Sequence, residues 1–136
     1  MSLLQTNISP PFNITRLSHV ALTSKDLDRT RFFYETGLGL EVTYQDNDYL
    51  CLRALEETSH HSLIFEKSDA SQCQRIGYRV SEEDELTKAY DYFSNLKYSV
   101  NYVDRPYQGK SLHVSDVMGT PIELCSIMEQ KPSQMQ

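Results

Sequence analysis

The sequence lacks the features that mark secreted, membrane-spanning and zinc-finger proteins. It has only three cysteines, which are far apart and form no CxxC pair, so neither a disulfide framework nor a zinc spacing is present. No apolar run approaches the length of a membrane span, and no charged-apolar-small leader opens the chain. These absences predict a cytoplasmic protein with reduced thiols and no membrane partner.

Positive charge is also scarce. Lys and Arg number 13 against 19 Asp and Glu, for a net charge of −6, and the basic residues are scattered. Because nucleic-acid binding needs clustered Lys and Arg, we expect no nucleic-acid partner. The 136 residues, 39% of them hydrophobic, are enough to bury a core without disulfides or a structural metal.

One pattern of elements occurs twice along the chain. In the first pass, a β-rich segment at 17–23 precedes a helical segment with apolar residues at Leu27, Phe33, Tyr34 and Leu38, and strand-like runs follow at 40–44, 49–55 and 62–66. Thr23 stands three residues before Asp26, the spacing of a helix-capping box. Gly37 and Gly39 are expected to end this helix.

The second pass repeats this order. A strand-like run at 76–80 is followed by Ser81 three residues before Asp84, which again predicts a helix start. Apolar residues at helical spacing then form one face, consisting of Leu86, Ala89, Tyr90, Phe93 and Leu96. Strand-like runs at 99–103, 111–114 and 122–127 complete the pass.

The repeat predicts an α+β fold of two tandem βαβββ modules, which pair because neither copy closes a core alone. We expect a curved mixed sheet with the helices on its outer face, so that the other face is available to a ligand. The predicted limits are 1–13 for an extended N-terminal arm, 14–70 and 71–129 for the modules, and 130–136 for a polar tail or the start of a linker.

Several motifs resemble the vicinal oxygen chelate superfamily of glyoxalases, bleomycin resistance proteins and type I extradiol dioxygenases. The opening strand and helix resemble it at 19–22 (HVAL), 26–27 (DL), 31–34 (RFFY) and 37–40 (GLGL), and the closing strand resembles it at 116–124 (DVMGTPIEL). The runs 49–57 (YLCLRALEE) and 60–63 (HHSL) are similar to the N-terminal domain of homoprotocatechuate-type (catechol) 2,3-dioxygenases. In that family the N-terminal domain is a degenerate copy and the metal lies in the C-terminal one.

The resemblance implies where a metal would lie. The superfamily holds Fe(II) or Mn(II) with two His and one carboxylate, and the matching positions here are His19, Arg75 and Glu123. Arginine offers a metal no lone pair, so no cofactor is expected in this copy, and Fe(II) or Mn(II) is expected if a metal is bound. Glu123 and Arg75 can instead form an ion pair, a relic of the metal site. Glu66 is the acid available for a glyoxalase-type fourth ligand.

Other chemistry-bearing residues have simpler interpretations. His60 and His61 are adjacent, and neighbouring strand residues point to opposite faces, so we expect a structural role for this pair. Cys125 has nothing in the sequence nearby to lower its pKa, and the catalytic residues stay unknown. Tyr34 and Tyr90 are predicted to pack in the core, whereas Tyr102 and Tyr107 are candidates to line a pocket for a planar aromatic.

Three functions remain open, in this order of preference. The first is the non-catalytic N-terminal module of an extradiol ring-cleaving dioxygenase, whose catalytic metal would lie in a domain not present here. The second is a free-standing metal-dependent enzyme of glyoxalase or dioxygenase type. The third is a metal-free protein that binds a small aromatic. The expected partners are an aromatic or diol-type small molecule, and either a second copy of the chain or a C-terminal catalytic domain.

Overall fold

The computed structural model describes residues 9–134, which form eight strands and two helices. The elements are β1 Ile14–Ser24, α1 Leu27–Arg31, a π-helical segment Phe32–Gly37, β2 Glu41–Gln45, β3 Tyr49–Arg53, β4 Leu63–Lys67, β5 Cys73–Val80, α2 Glu83–Asn95, β6 Val100–Arg105, β7 Gly109–Ser115 and β8 Pro121–Cys125. The predicted βαβββ order, occurring twice, is confirmed. The module limits 14–70 and 71–129 stay a prediction.

All eight strands belong to one curved mixed sheet in the order β2-β3-β4-β1-β5-β8-β7-β6. The first strands of the two halves, β1 and β5, pair antiparallel at its centre, and β5 pairs parallel with β8. Gly77 of β5 stands opposite His19 of β1 on one side and opposite Glu123 of β8 on the other. The positions singled out in the sequence therefore lie on three adjacent central strands.

The two helices pack on one face of the sheet, and each covers its own apolar cluster. The α2 cluster consists of Val80, Leu86, Ala89, Leu112 and Leu124. The α1 cluster consists of Leu27, Leu50, Leu52 and Phe65. Because strand side chains alternate between faces, the neighbours of these residues face the other, concave side.

Both helices begin later than the capping patterns predicted. Asp26 is the N-cap of α1, and its carboxylate accepts hydrogen bonds from the backbone N–H of Asp28 and Arg29. Thr23 is still part of β1, and its hydroxyl donates to the carbonyl of Ala70 at 2.7 Å. The second N-cap is Glu82, without a side-chain capping bond. The prediction of Thr23 and Ser81 as caps is wrong. Thr23 belongs to β1, which continues to Ser24, and the N-cap of the second helix is Glu82, the residue after Ser81.

The first helix also buries less than its apolar pattern suggested. It becomes π-helical after Arg31, which widens the turn and rotates the side chains that follow. Phe33 and Leu38 are consequently exposed, at 58% each. No helix within residues 9–134 is long and apolar enough to cross a membrane.

The C-terminal segment lies along the loop that joins β3 to β4. Ser59 and Gln130 form an isolated β-bridge, and Met128 is buried. Arg53, only 1% exposed, reaches between the two segments. Its guanidinium donates to the carbonyls of Glu57, Lys131 and Pro132 and to the carboxylate of Glu41. The predicted polar tail is thus hydrogen-bonded to the domain as far as residue 134. Residues 1–8 of the predicted arm, and residues 135–136, lie outside the described residues.

Candidate functional site

The site is built around the carboxylate of Glu123, which is fully buried on the concave face. The two residues that flank it on β8, Ile122 and Leu124, pack on the helix side, so alternation directs Glu123 the other way. Within residues 9–134, four side chains contact its two oxygens, and they come from β1, β5, β6 and β7. They are His19 Nε2 at 2.9 Å and Arg75 Nε at 2.6 Å on Oε2, with Arg105 Nε at 3.1 Å and His113 Nε2 at 3.2 Å on Oε1. We call these five residues the Glu123 network.

His19 is held in place by a glycine on the neighbouring strand. Its ring lies over Gly77, where any Cβ would collide with the imidazole, so β5 can carry no side chain at this point. The other ring nitrogen, Nδ1, lies 3.0 Å from the Ser18 hydroxyl. His19 is therefore fixed on both sides, with Nε2 directed at Glu123.

The network keeps Glu123 ionised. Burial alone would raise the pKa of this carboxyl, but hydrogen bonds from His113 and His19 and the charge of Arg75 hold the pKa far below its usual range. Burial likewise tends to lower the pKa of His19, yet its interactions with Cys125 and Glu123 outweigh burial, and the pKa is raised. The site is a buried carboxylate with two guanidinium groups.

A divalent metal does not fit this donor set. Arg75 Nε lies 2.6 Å from the same oxygen that faces His19, and Arg105 takes the other oxygen. His19 and His113 lie against different oxygens of Glu123, and within residues 9–134 the one group of three or more His, Cys, Asp or Glu whose ligand atoms all lie within 4.8 Å of one another is elsewhere. Two fixed positive charges against Glu123 oppose a further cation.

Arg105 and His113 were missed by the sequence analysis. A signal for His113 was available, since it stands between Leu112 and Val114, which are buried on the helix side of β7. Its register partner on β8 is Glu123. Arg105 had no such signal, because it ends an edge strand in which no residue is buried.

A cavity of about 230 Å³ lies beside the network. Its lining includes Tyr44, Tyr49, Cys51, His61, Arg75, Arg105, Tyr107 and Gln108. Tyr107 was predicted to line such a pocket, and it does so while stacking on His60 with ring centroids 3.6 Å apart. The same prediction is wrong for Tyr102, which stacks on Tyr90 at 5.1 Å instead. Tyr34 and Tyr90 pack against the apolar clusters as expected.

The His60–His61 pair does not follow the alternation assumed for it. The two residues precede β4, where the backbone is irregular, so the strand rule does not apply and the prediction of opposed rings is wrong. Their Nδ1 atoms lie 2.9 Å apart, and Nε2 of His61 lies 3.0 Å from Oε1 of Gln108. Burial lowers the pKa of His61 to about 4.

Two further expectations concern Cys125 and Glu66. Burial tends to raise the pKa of the Cys125 thiol, but its hydrogen bond with His19 and the charge of that ring hold the pKa below the usual value. The expectation that nothing nearby lowers this pKa is therefore wrong. Glu66 lies in a separate depression that includes Arg75 and His113, and it makes no contact with the Glu123 carboxylate among those described.

Comparisons with known proteins identify relatives of this chain. The sequence profile of the glyoxalase/bleomycin resistance protein/dioxygenase superfamily matches residues 16–124. Metapyrocatechase of Geobacillus stearothermophilus is 32% identical over 79 residues, which cover 58% of this chain and 24% of the relative. The manganese-dependent 2,3-dihydroxybiphenyl 1,2-dioxygenase of Geobacillus genomosp. 3 is 22% identical over 114 residues, covering 82% and 36%.

Solved structures of extradiol dioxygenases share the fold. An extradiol ring-cleaving dioxygenase from B. fuscum superposes with a TM-score of 0.88 at 27% identity, covering 97% of this chain and 38% of that one. The complex of homoprotocatechuate 2,3-dioxygenase from Brevibacterium fuscum with 3,4-dihydroxyphenylacetate gives 0.88 at 28%, covering 95% and 42%. This chain spans about a quarter to two fifths of the length of these relatives. With four fifths of its residues matched by the profile, the chain belongs to the glyoxalase/bleomycin resistance protein/dioxygenase superfamily.

Proposed function

We propose that this chain is a catalytically silent module of extradiol-dioxygenase type, equivalent to the N-terminal module of those enzymes. Its role is to pack against a metal-bearing module or a second copy of itself. The observation that carries the proposal is the ion pair of Arg75 with Glu123, in which Nε lies 2.6 Å from Oε2. An arginine here takes the place of the second histidine that the superfamily's metal site requires.

Because Arg75 is buried, it cannot easily move aside to let Glu123 bind a metal. Its side chain is 8% exposed and its charge is neutralised by a carboxylate with 0% exposure. For Glu123 to ligate a metal, the guanidinium would have to leave its partner within a buried site, and separating a buried pair costs about 3–5 kcal/mol. If the chain were a free-standing metalloenzyme, the second function considered above, the free energy of metal binding would have to exceed that cost.

Metal content tests the proposal. Protein purified without chelators, with Fe(II) and Mn(II) added back, is expected to retain neither metal stoichiometrically and to cleave no catechol. Arg75→His restores two histidines and a carboxylate, and we expect it to gain Mn(II) binding, measured by elemental analysis after gel filtration. Arg79→His, four residues along the same strand, is the matched control and should gain none. Stoichiometric Fe(II) or Mn(II) in the wild type that disappears in His19→Ala would overturn the proposal.

A specific observation supports a second candidate, the binding of a small planar aromatic anion. Nε of Arg75 donates a hydrogen bond to Glu123, while its terminal Nη atoms have no hydrogen-bond partner within residues 9–134. The same arginine lines the cavity with the aromatic rings of Tyr44, Tyr49 and Tyr107. A guanidinium with free donors beside aromatic walls suits a carboxylate on a single ring.

Titration calorimetry with 3,4-dihydroxyphenylacetate tests this candidate. We expect saturable binding to the wild type and a loss of about three- to tenfold in affinity for Tyr107→Ala, since an aromatic contact contributes about 0.5–1.5 kcal/mol. Tyr102→Ala, outside the cavity, should bind like the wild type, and acetate should not compete. Equal binding by both tyrosine variants would argue against the cavity as the site.

A further inference from the structure

We infer that Cys51, His60 and His61 form a zinc site on the wall of the cavity, separate from the Glu123 network. The three residues come from two adjacent strands of the sheet, with Cys51 in the middle of β3 and the histidines just before β4. Their ligand atoms, one sulfur and two ring nitrogens, all lie within 4.8 Å of one another. The side chains are buried, with 6%, 2% and 1% exposure.

Hydrogen bonds already orient the two histidine rings with their Nδ1 atoms facing each other. Oε1 of Gln108 can only accept, so Nε2–H of His61 donates to it at 3.0 Å. This fixes the tautomer of His61 and leaves a lone pair on Nδ1. Nδ1–H of His60 then donates to that lone pair at 2.9 Å. A metal ion can take the place of this hydrogen bond and receive a lone pair from each Nδ1 atom, once the neutral ring of His60 carries its proton on Nε2 instead.

The surroundings hold the ligands in place. The backbone N–H of His60 donates to the carbonyl of Glu129 at 2.7 Å, and its ring stacks on Tyr107. Gln108, itself 2% exposed, orients His61 from the far side. A hydrogen-bonded partner of this kind behind a ligating histidine is typical of metal sites, because it sets the direction of the lone pair.

The donor set selects the metal. One thiolate and two imidazoles suit zinc, whereas magnesium and calcium require oxygen ligands. Burial and the charge of Asp46 raise the pKa of Cys51, and the charge of Arg75 opposes them only in part, so the thiol proton is displaced by the zinc as it binds. Three protein ligands leave at least one coordination position. Cys51 and His61 line the cavity, so water or a small anion can reach that position.

Cobalt and zinc titrations of the chelator-treated full chain test the site. We expect one equivalent of Co²⁺ to produce a thiolate-to-cobalt charge-transfer band that one equivalent of Zn²⁺ abolishes. Cys51→Ser should remove the band and weaken Zn²⁺ binding by about tenfold or more. Cys73→Ser, which changes the exposed cysteine of β5, is the matched control and should keep both.

Several results would overturn the inference. They are the absence of the band in the wild type, its persistence in Cys51→Ser, or its loss in Cys73→Ser. Should Cys51→Ser not fold, His60→Gln and His61→Gln provide the same test through Zn²⁺ affinity. A metal at His19 and Glu123 would respond to His19→Ala and not to Cys51→Ser. The zinc site and the metal-free Glu123 network can therefore fail independently.

Discussion

Glu123→Gln is expected to destabilise the protein by about 3–5 kcal/mol, the range for removing one partner of a buried ion pair. The amide keeps the size of the side chain but removes its charge. Arg75 then remains 8% exposed, beside Arg105, with no carboxylate to neutralise either guanidinium. The loss comes from uncompensated buried charge, and no cavity is created.

Urea unfolding followed by circular dichroism measures this loss. Glu66→Gln on β4 is the matched control, and its free energy of unfolding should change by less than about 0.5 kcal/mol. Adding Arg75→Met to Glu123→Gln should recover part of the loss, because it removes one of the unpaired charges. A single variant as stable as the wild type, with no recovery in the double variant, would mean that the network contributes nothing to stability.

The stability difference between the wild type and Glu123→Gln is expected to depend on pH. The pKa of Glu123 is lowered by folding, so its contribution to stability is present above the unfolded value of 4.5 and is lost as the pH falls through the folded value. The difference in unfolding free energy between wild type and Glu123→Gln should be largest between about pH 4.5 and 6.5. It should shrink below 4.5 as Glu123 is protonated, and above 6.5 as His19 loses the proton that Glu123 stabilises. A difference independent of pH down to the acid limit would contradict the assignment.

Arg53→Met is the second large effect, with an expected loss of about 3–5 kcal/mol. Methionine keeps most of the buried aliphatic stem but removes all of the donors. The carbonyls of Glu57, Lys131 and Pro132 and the carboxylate of Glu41 each lose a hydrogen bond. Because two of these carbonyls belong to the C-terminal segment, that segment should detach before the sheet unfolds.

Hydrogen exchange distinguishes detachment from general destabilisation. In Arg53→Met, protection of the amides of Lys131 and Gln134, which donate to Thr58 and Leu55, should fall more than protection in β1. Arg16→Met is the control, since Arg16 is 52% exposed and pairs with Glu57 at the surface. Such a pair contributes at most about 1 kcal/mol. Equal losses in the two variants would show that burial of Arg53 is unimportant.

The fold could be predicted from the sequence because its two halves carry strong, repeated periodicity. The strand-like run at 49–55, of which Tyr49–Arg53 forms β3, and the helical spacing from Leu86 to Phe93 are local to one element each, so the sequence contains them directly. The residues at which the helices begin were harder to predict from the sequence. A capping box predicts a start only if the strand before it has ended, and β1 continues to Ser24.

The site could be predicted only in part, for a similar reason. His19, Arg75 and Glu123 occupy positions that the family resemblance marks, and the sheet brings them together. Arg105 joins them through a register between β6, β7 and β8 that no local pattern encodes. The closeness of His60 and His61 depends on irregular backbone before β4, where no periodic rule holds.

Gly77, which lies beneath His19, restricts the register in which β1 of the first half pairs with β5 of the second half. Sliding β1 along β5 by two residues would preserve the inside-outside alternation of both strands, so hydrophobicity alone does not distinguish the two alignments. The residues two before and two after Gly77 are Arg75 and Arg79, and their side chains would occupy the space that the imidazole needs. The slipped alignment would also separate His19 from Glu123. The Glu123 network and Gly77 thus fix the register in which β1 pairs with β5.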